Sequence, residues 1–134
     1  MSEAESIESD NPHLQGNNKP IYDEITATGL EVIGEIPADI SGHFLRIGPN
    51  PYYVPDESRY HIFDGDGMIH GVHITEGKAT YRNRFVASTG LSKERAEGRW
   101  IYPGLNMIGD YLAKGEMPET KNTGNTAMVF YNGQ

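Results

Sequence analysis

The stretch "YHIFDGDGMIHGVHITEGKATYRNRF", Tyr60 to Phe85, decides the fold. Its aspartates, glycines and histidines admit three structures: a calcium loop, a transition-metal site, or strands joined by tight turns. A helix-loop-helix calcium loop needs oxygen ligands at alternating positions and a glutamate at the twelfth. Asp64 and Asp66 supply two ligands, but Met68 stands at the next alternating position and no glutamate falls where the loop should close. The glycines instead favour turns, because glycine adopts the positive φ that two-residue hairpin loops demand.

With Gly65-Asp66 at one tip and Glu76-Gly77 at the next, the stretch becomes a three-stranded meander. The first hairpin sets Phe63 against Met68, Ile62 against Ile69 and His61 against His70. The second sets Ile74 against Ala79 and Val72 against Tyr81. Alternation then gives one apolar face, His61, Phe63, Met68, His70, Val72, Ile74, Ala79, Tyr81, Asn83 and Phe85. Tyr60, Ile62, Asp64, Ile69, His73, Thr75, Lys78, Thr80, Arg82 and Arg84 form the other, mainly polar face. Two separate turn assignments thus agree on one buried face.

This register bears on the metal question. His70 and His73 point to opposite sides of a strand and make a poor ligand pair. His61 and His70 face each other, and paired imidazoles can bind zinc or iron if further ligands join them. Asn83 is nearby, but an amide is a weak ligand. Two core histidines satisfied by hydrogen bonds are the simpler reading, since buried polar groups need partners with or without a metal.

Outward from this stretch, "GLEVIGEIP" (Gly29–Pro37) and "GHFLRIGPNP" (Gly42–Pro51) predict two further strands, the second ended by a Gly-Pro-Asn-Pro turn. Leu91–Trp100 predicts one or two helical turns with Ser92 as N-cap and Gly98 as stop. "LNMIGDYLAKG" suits a short helix, and "ETKNTGNT" a loop. "AMVFYNGQ" predicts a final strand whose hairpin partner does not follow, an open edge that points to a longer protein. Residues 1–18 are polar and acidic and predict a mobile tail; ordered structure is expected over 19–134.

Composition narrows function. The chain has 134 residues, no cysteine, and a net charge of -8 from 11 basic and 19 acidic residues. That balance offers no footprint for nucleic-acid phosphates. The lack of cysteine excludes disulfides and thiolate chemistry. The opening residues have no secretory pattern and no apolar run approaches membrane-span length, so the cytoplasm is the expected location. Ser41, Ser88 and Ser92 lack a nucleophile-elbow context, and "GPNP" lacks dinucleotide-loop spacing. No catalytic constellation is complete.

Three blocks in this order, "LEVIGEIPADISGHFLRIGPNP", "YHIFDGDGMIHGVHITEGKATYRNRFV" and "KNTGNTAMVFYNGQ", resemble the carotenoid cleavage oxygenase family. That family includes the retinoid isomerase of the eye and the stilbene-cleaving oxygenases. Ile47 and Ile62 stand where many members have asparagine and tryptophan. The resemblance implies an all-β, seven-bladed β-propeller with short helical insertions. It also implies a non-haem Fe(II) held by four histidines that glutamates orient, and O2-dependent cleavage of a carbon-carbon double bond in a carotenoid, apocarotenoid or stilbene.

At about 40–45 residues per blade, this chain would form the N-terminal blades of an incomplete propeller. The family's iron ligands lie in motifs beyond "NTAMVFYNGQ", so the resemblance assigns no metal ligand and no catalytic residue to this chain. Fe(2+) would belong to the full-length enzyme, inactive as this piece, with peripheral membrane contact left to regions outside it. In stilbene-cleaving relatives a lysine and a tyrosine contact the substrate phenol; the resemblance assigns Lys121 and Phe85 to those positions, Phe85 without the hydroxyl. Two alternatives remain: a non-catalytic β-hairpin module presenting an apolar face to a partner or lipid-like ligand, and a small metalloprotein built on His61 and His70.

Overall fold

The computed structural model describes residues 9–54 and 56–133. It holds a four-stranded antiparallel sheet, β1 (Thr26–Ala27), β2 (Gly42–Asn50), β3 (Asp66–Thr75) and β4 (Lys78–Phe85), in the order β1-β4-β3-β2. Two helices follow, α1 (Thr89–Glu97) and α2 (Leu105–Leu112).

The β3–β4 hairpin has the expected register, with Ile74 opposite Ala79 and Val72 opposite Tyr81. Its tip is Glu76-Gly77, and both residues have positive φ, 49° and 72°. This left-handed pair matches the twist of the flanking strands. Along β4 the alternation is clear: Asn83 and Phe85 are buried, whereas Lys78, Arg82 and Arg84 are exposed.

The first hairpin of the sequence reading is corrected. Residues Ile62–Asp64 form a 3-10 turn, and β3 pairs with β2 instead. Local side-chain bonds outcompete a ladder here. The His61 amide donates to Asp64 Oδ2 at 3.0 Å, and the Phe63 amide to His61 Nδ1 at 3.2 Å, a reciprocal capping box. Gly65 is not a turn glycine, since its φ is -64°. It is needed because a Cβ there would lie 2.7 Å from the Tyr60 hydroxyl and 2.9 Å from the Asn50 amide nitrogen.

Other boundaries move for equally local reasons. Gly29–Pro37 is not a strand, because Gly29 and Gly34 take left-handed φ values and Ile33 points into solvent. Gly48, Pro49 and Asn50 continue β2 rather than turning; as an edge strand it tolerates the missing proline N–H. Helix α1 begins one turn earlier than expected, capped by Ser88, whose hydroxyl accepts the Leu91 amide at 3.2 Å. Ser92 therefore lies inside α1, and Gly98, at φ 67°, ends it as expected. Ala127–Tyr131 forms no strand among the described residues.

The core is small: Met68, Phe85 and Leu91, with Tyr52 packed beside them. Residues 1–8 of the acidic segment lie outside the described residues. Residues 9–18 contain two 3-10 turns, and Leu14 is buried. Asn11 Nδ2 donates to the Glu57 and Tyr60 carbonyls at 2.7 and 2.8 Å.

Two buried asparagines fasten the incoming chain. Asn50 accepts the Ile21 amide at 2.8 Å and donates to the Ile21 carbonyl at 2.6 Å. Asn83 accepts the Ile25 amide at 2.6 Å and donates to the Asp23 carbonyl at 3.1 Å. Each amide satisfies main-chain groups that a strand neighbour would otherwise satisfy.

Candidate functional site

Asp64-Gly65-Asp66-Gly67 is a junction, and each residue meets a different part of the chain. Asp64 closes its own 3-10 turn through Oδ2 and accepts the Leu105 amide at 2.9 Å through Oδ1. Gly104 supplies no capping side chain, so Asp64 caps α2 from a distance of 41 residues in sequence. The Gly67 amide donates to the Thr123 carbonyl at 2.8 Å, and a Cβ on Gly67 would overlap the Gly124 carbonyl. Asn125 Nδ2 donates to the Gly65 and Phe63 carbonyls at 2.8 and 3.2 Å. The loop over 119–126 is thus bonded to this junction.

Asp66 leads to the one buried charge cluster among the described residues. Lys121 Nζ donates to Asp66 Oδ1 and Glu94 Oε2, both at 2.7 Å. The three side chains are 7%, 1% and 0% exposed. The second oxygen of each carboxylate is also used. Asp66 Oδ2 accepts the Tyr52 amide at 3.1 Å, and Glu94 Oε1 accepts those of Ile101 and Tyr102 at 3.1 and 3.4 Å. Such full hydrogen bonding is what makes buried charge tolerable. The cluster ties β3, α1 and the 119–126 loop together. Gly90 belongs to it, because a Cβ there would lie 2.5 Å from Lys121 Cβ.

Beside the cluster opens a cleft of about 660 Å³. Ile62 and Phe63 come from the 3-10 turn, Trp100, Tyr102 and Pro103 from the connection after α1, Leu105 and Ile108 from α2, and Lys121 and Asn125 from the loop. Its walls are mainly apolar. Burial, then the charges of Asp64 and Asp66, push the nearby Tyr60 phenol well above its ordinary range.

Lys121 therefore stands on the cleft wall with its ammonium held by two carboxylates. Phe85 lies in the core, edge-to-face with Tyr52 at a centroid distance of 5.2 Å and beneath the Arg95 guanidinium at 5.1 Å. It is not among the residues lining the cleft.

The opposed His61 and His70 of the sequence reading are also corrected. His61 caps the 3-10 turn and lies beside His13, ring centroids 4.9 Å apart. His70 Nδ1 is 2.7 Å from the Tyr81 hydroxyl. Burial, then Arg46, hold its imidazole below the usual histidine range. Across the sheet its neighbours are Arg46 and Asn83. Among the described residues no three histidine or carboxylate side chains gather as metal ligands.

Sequence reasoning missed Glu94 and the stacked pair His43–His73. Glu94 had a signal: it lies three residues after Leu91, on the face that α1 buries. His43 and His73 had none, because their pairing depends on β2 lying beside β3.

Comparison with known proteins gives a consistent answer. A carotenoid cleavage oxygenase of Mycobacterium tuberculosis is 49% identical over 87 residues, covering 64% of this chain and 17% of that protein. The carotenoid 9,10(9',10')-cleavage dioxygenase of Crocus sativus is 37% identical over 141 aligned positions, covering 91% of this chain and 25% of that protein. The chain thus spans at most a quarter of these relatives' length. Among solved structures, the Pseudomonas brassicacearum lignostilbene dioxygenase superposes with a TM-score of 0.66 at 35% identity, covering 72% of this chain and 20% of that one. A variant of the Synechocystis apocarotenoid oxygenase gives 0.63 at 29%, covering 80% and 23%. Residues 18–134 match the family model described as retinal pigment epithelial membrane protein, and the chain belongs to that family.

Proposed function

We propose that the chain is the N-terminal part of an Fe(II)-dependent dioxygenase that uses O2 to split a carbon-carbon double bond of a carotenoid or apocarotenoid. In this reading the sheet and its helices are the first blades of a seven-bladed propeller. The observation that carries it is the alignment, at 37% identity, of 91% of the chain with the Crocus sativus dioxygenase. The described residues do not fit an iron centre, since the histidines are dispersed over three places. No chemical step is assigned to them. Their work is structural: the Asp66–Glu94–Lys121 cluster fixes the loop that forms one wall of the apolar cleft.

The same cluster favours a polyene over a hydroxylated stilbene. A phenol seeking Lys121 would compete with two carboxylates already 2.7 Å from the ammonium. A polyene makes no such demand.

Expression of the whole reading frame in a carotenoid-accumulating bacterial host tests the proposal. Bleaching with carbonyl products, dependent on Fe(II), is the expected result, and the 134-residue chain alone should neither bleach the host nor take up stoichiometric iron. An intact pigment with the whole frame, or turnover by the chain alone, would overturn it.

A further inference from the structure

The peptide unit between Tyr60 and His61 is held from both sides. Its carbonyl accepts a bond from Asn11 Nδ2 at 2.8 Å, and its N–H donates to Asp64 Oδ2 at 3.0 Å. The first bond carries the segment 9–18, which is also fixed by the Asn11 bond to the Glu57 carbonyl and by the buried Leu14. The second reaches Asp64, whose other oxygen caps α2 at Leu105.

The His61 ring sets how that peptide lies. Its Nδ1 accepts the Phe63 amide at 3.2 Å, so this nitrogen carries no proton. An imidazolium has two N–H donors and no acceptor. Protonation therefore replaces the cap of the 3-10 turn by two opposed N–H groups. Three titratable groups stand beside the ring. His13 comes from the N-terminal segment, ring centroids 4.9 Å apart, and once charged it repels a charge on His61. The Tyr60 phenol, pushed up by burial, stays uncharged. Asp64 attracts an imidazolium, but its two oxygens already serve the His61 and Leu105 amides, so a ring drawn to them displaces one of those bonds. Histidine is the side chain whose charge ordinarily changes between about pH 5 and 8.

We propose that His61 is a proton-operated latch: neutral, it fixes the 3-10 turn and the 9–18 segment bonded to it; protonated, it releases both. The latch consists of contacts within the chain itself. It stands independently of the oxygenase reading and of what packs against the sheet.

The test titrates the 134-residue chain from about pH 8 to 5 while nitrogen-proton correlation spectra read the histidine rings. At the alkaline end the neutral His61 ring should carry its proton on Nε2. As His61 takes up its second proton, hydrogen-exchange protection at the Phe63 and Leu14 amides should fall about fivefold, the loss of one cap, after correction for the intrinsic pH dependence of exchange. Leu14 reports on the 9–18 segment through its bond to the Asn11 carbonyl. His61→Asn keeps an uncharged acceptor at the same side-chain position and should leave both amides protected throughout. His70→Asn removes the other histidine with a protonation-linked effect and should leave the response in place. Amide spectra show whether each variant is folded. An Nδ1-protonated neutral ring in the unmutated chain, or protection unchanged across the His61 titration, would overturn the assignment whether or not the variants fold. A response that persists in folded His61→Asn, or vanishes in folded His70→Asn, would overturn it as well.

Discussion

Replacing Lys121 by methionine keeps the unbranched stem, one heavy atom shorter, and removes the charge. Asp66 and Glu94 then face one another across the vacated position, 1% and 0% exposed, each still bonded to backbone amides but without a cation. Removing one partner of a buried ion pair costs about 3–5 kcal/mol, because the remaining charge has lost its compensation. Trp100, the only tryptophan, lines the adjoining cleft and reports the transition by fluorescence. Urea unfolding at neutral pH should therefore show Lys121→Met destabilised by about 3–5 kcal/mol. The double variant Lys121→Met/Glu94→Gln should be more stable than the two single losses predict, with a coupling of about 2 kcal/mol. A loss under about 1 kcal/mol for Lys121→Met, or additive losses in the cycle, would refute the view that the cluster is held by mutual charge compensation.

Gly67→Ala should cost about 1–3 kcal/mol in chemical denaturation, because the methyl group collides with the Gly124 backbone, and it should speed proteolysis within 120–126. Glu76→Asn should stabilise the protein by about 0.5–1 kcal/mol, since asparagine suits the left-handed first position of the β3–β4 turn better than glutamate does. Arg59→Gln, which breaks the 2.5 Å pair with Asp110 at exposed side chains, should leave the unfolding midpoint nearly unchanged in the same assay, because solvent screens the pair. His70 has a depressed folded-state pKa, so the unfolded chain binds a proton first as pH falls below about 6.5. Its contribution is present above that pH and is lost as pH drops toward the folded value. Calorimetry from pH 7.5 to 5 should show a falling Tm, with a shallower fall in His70→Asn.

The β3–β4 hairpin was legible because every term in it is local: a two-residue loop, alternating side chains and a glycine where φ must be positive. The false hairpin at Gly65-Asp66 used the same glycine argument at a place where glycine serves close approach instead. Sequence spacing does not distinguish those two uses. The pairing of β2 with β3 crosses a long connection and leaves no mark in either strand alone. The resemblance marked Lys121 as a substrate contact; its carboxylate partners, 55 and 27 positions away, belong to tertiary structure. Family resemblance recovered the relatives, while the junction at Asp64–Gly67 needed coordinates.

The grip of Asn50 and Asn83 on residues 21–25 reads peptide groups alone. Apart from Glu24, whose Oε1 accepts the Phe85 amide at 2.7 Å, side-chain identity in the gripped segment is therefore loosely constrained. Exchanging Ile21, 43% exposed, for another non-proline residue leaves the bonds to Asn50 intact. Exchanging Asn50 or Asn83 strips two main-chain groups of their partners at once. Mutational scans of this region should show strong intolerance at two positions in the sheet and at Glu24, and permissiveness in the rest of the strap.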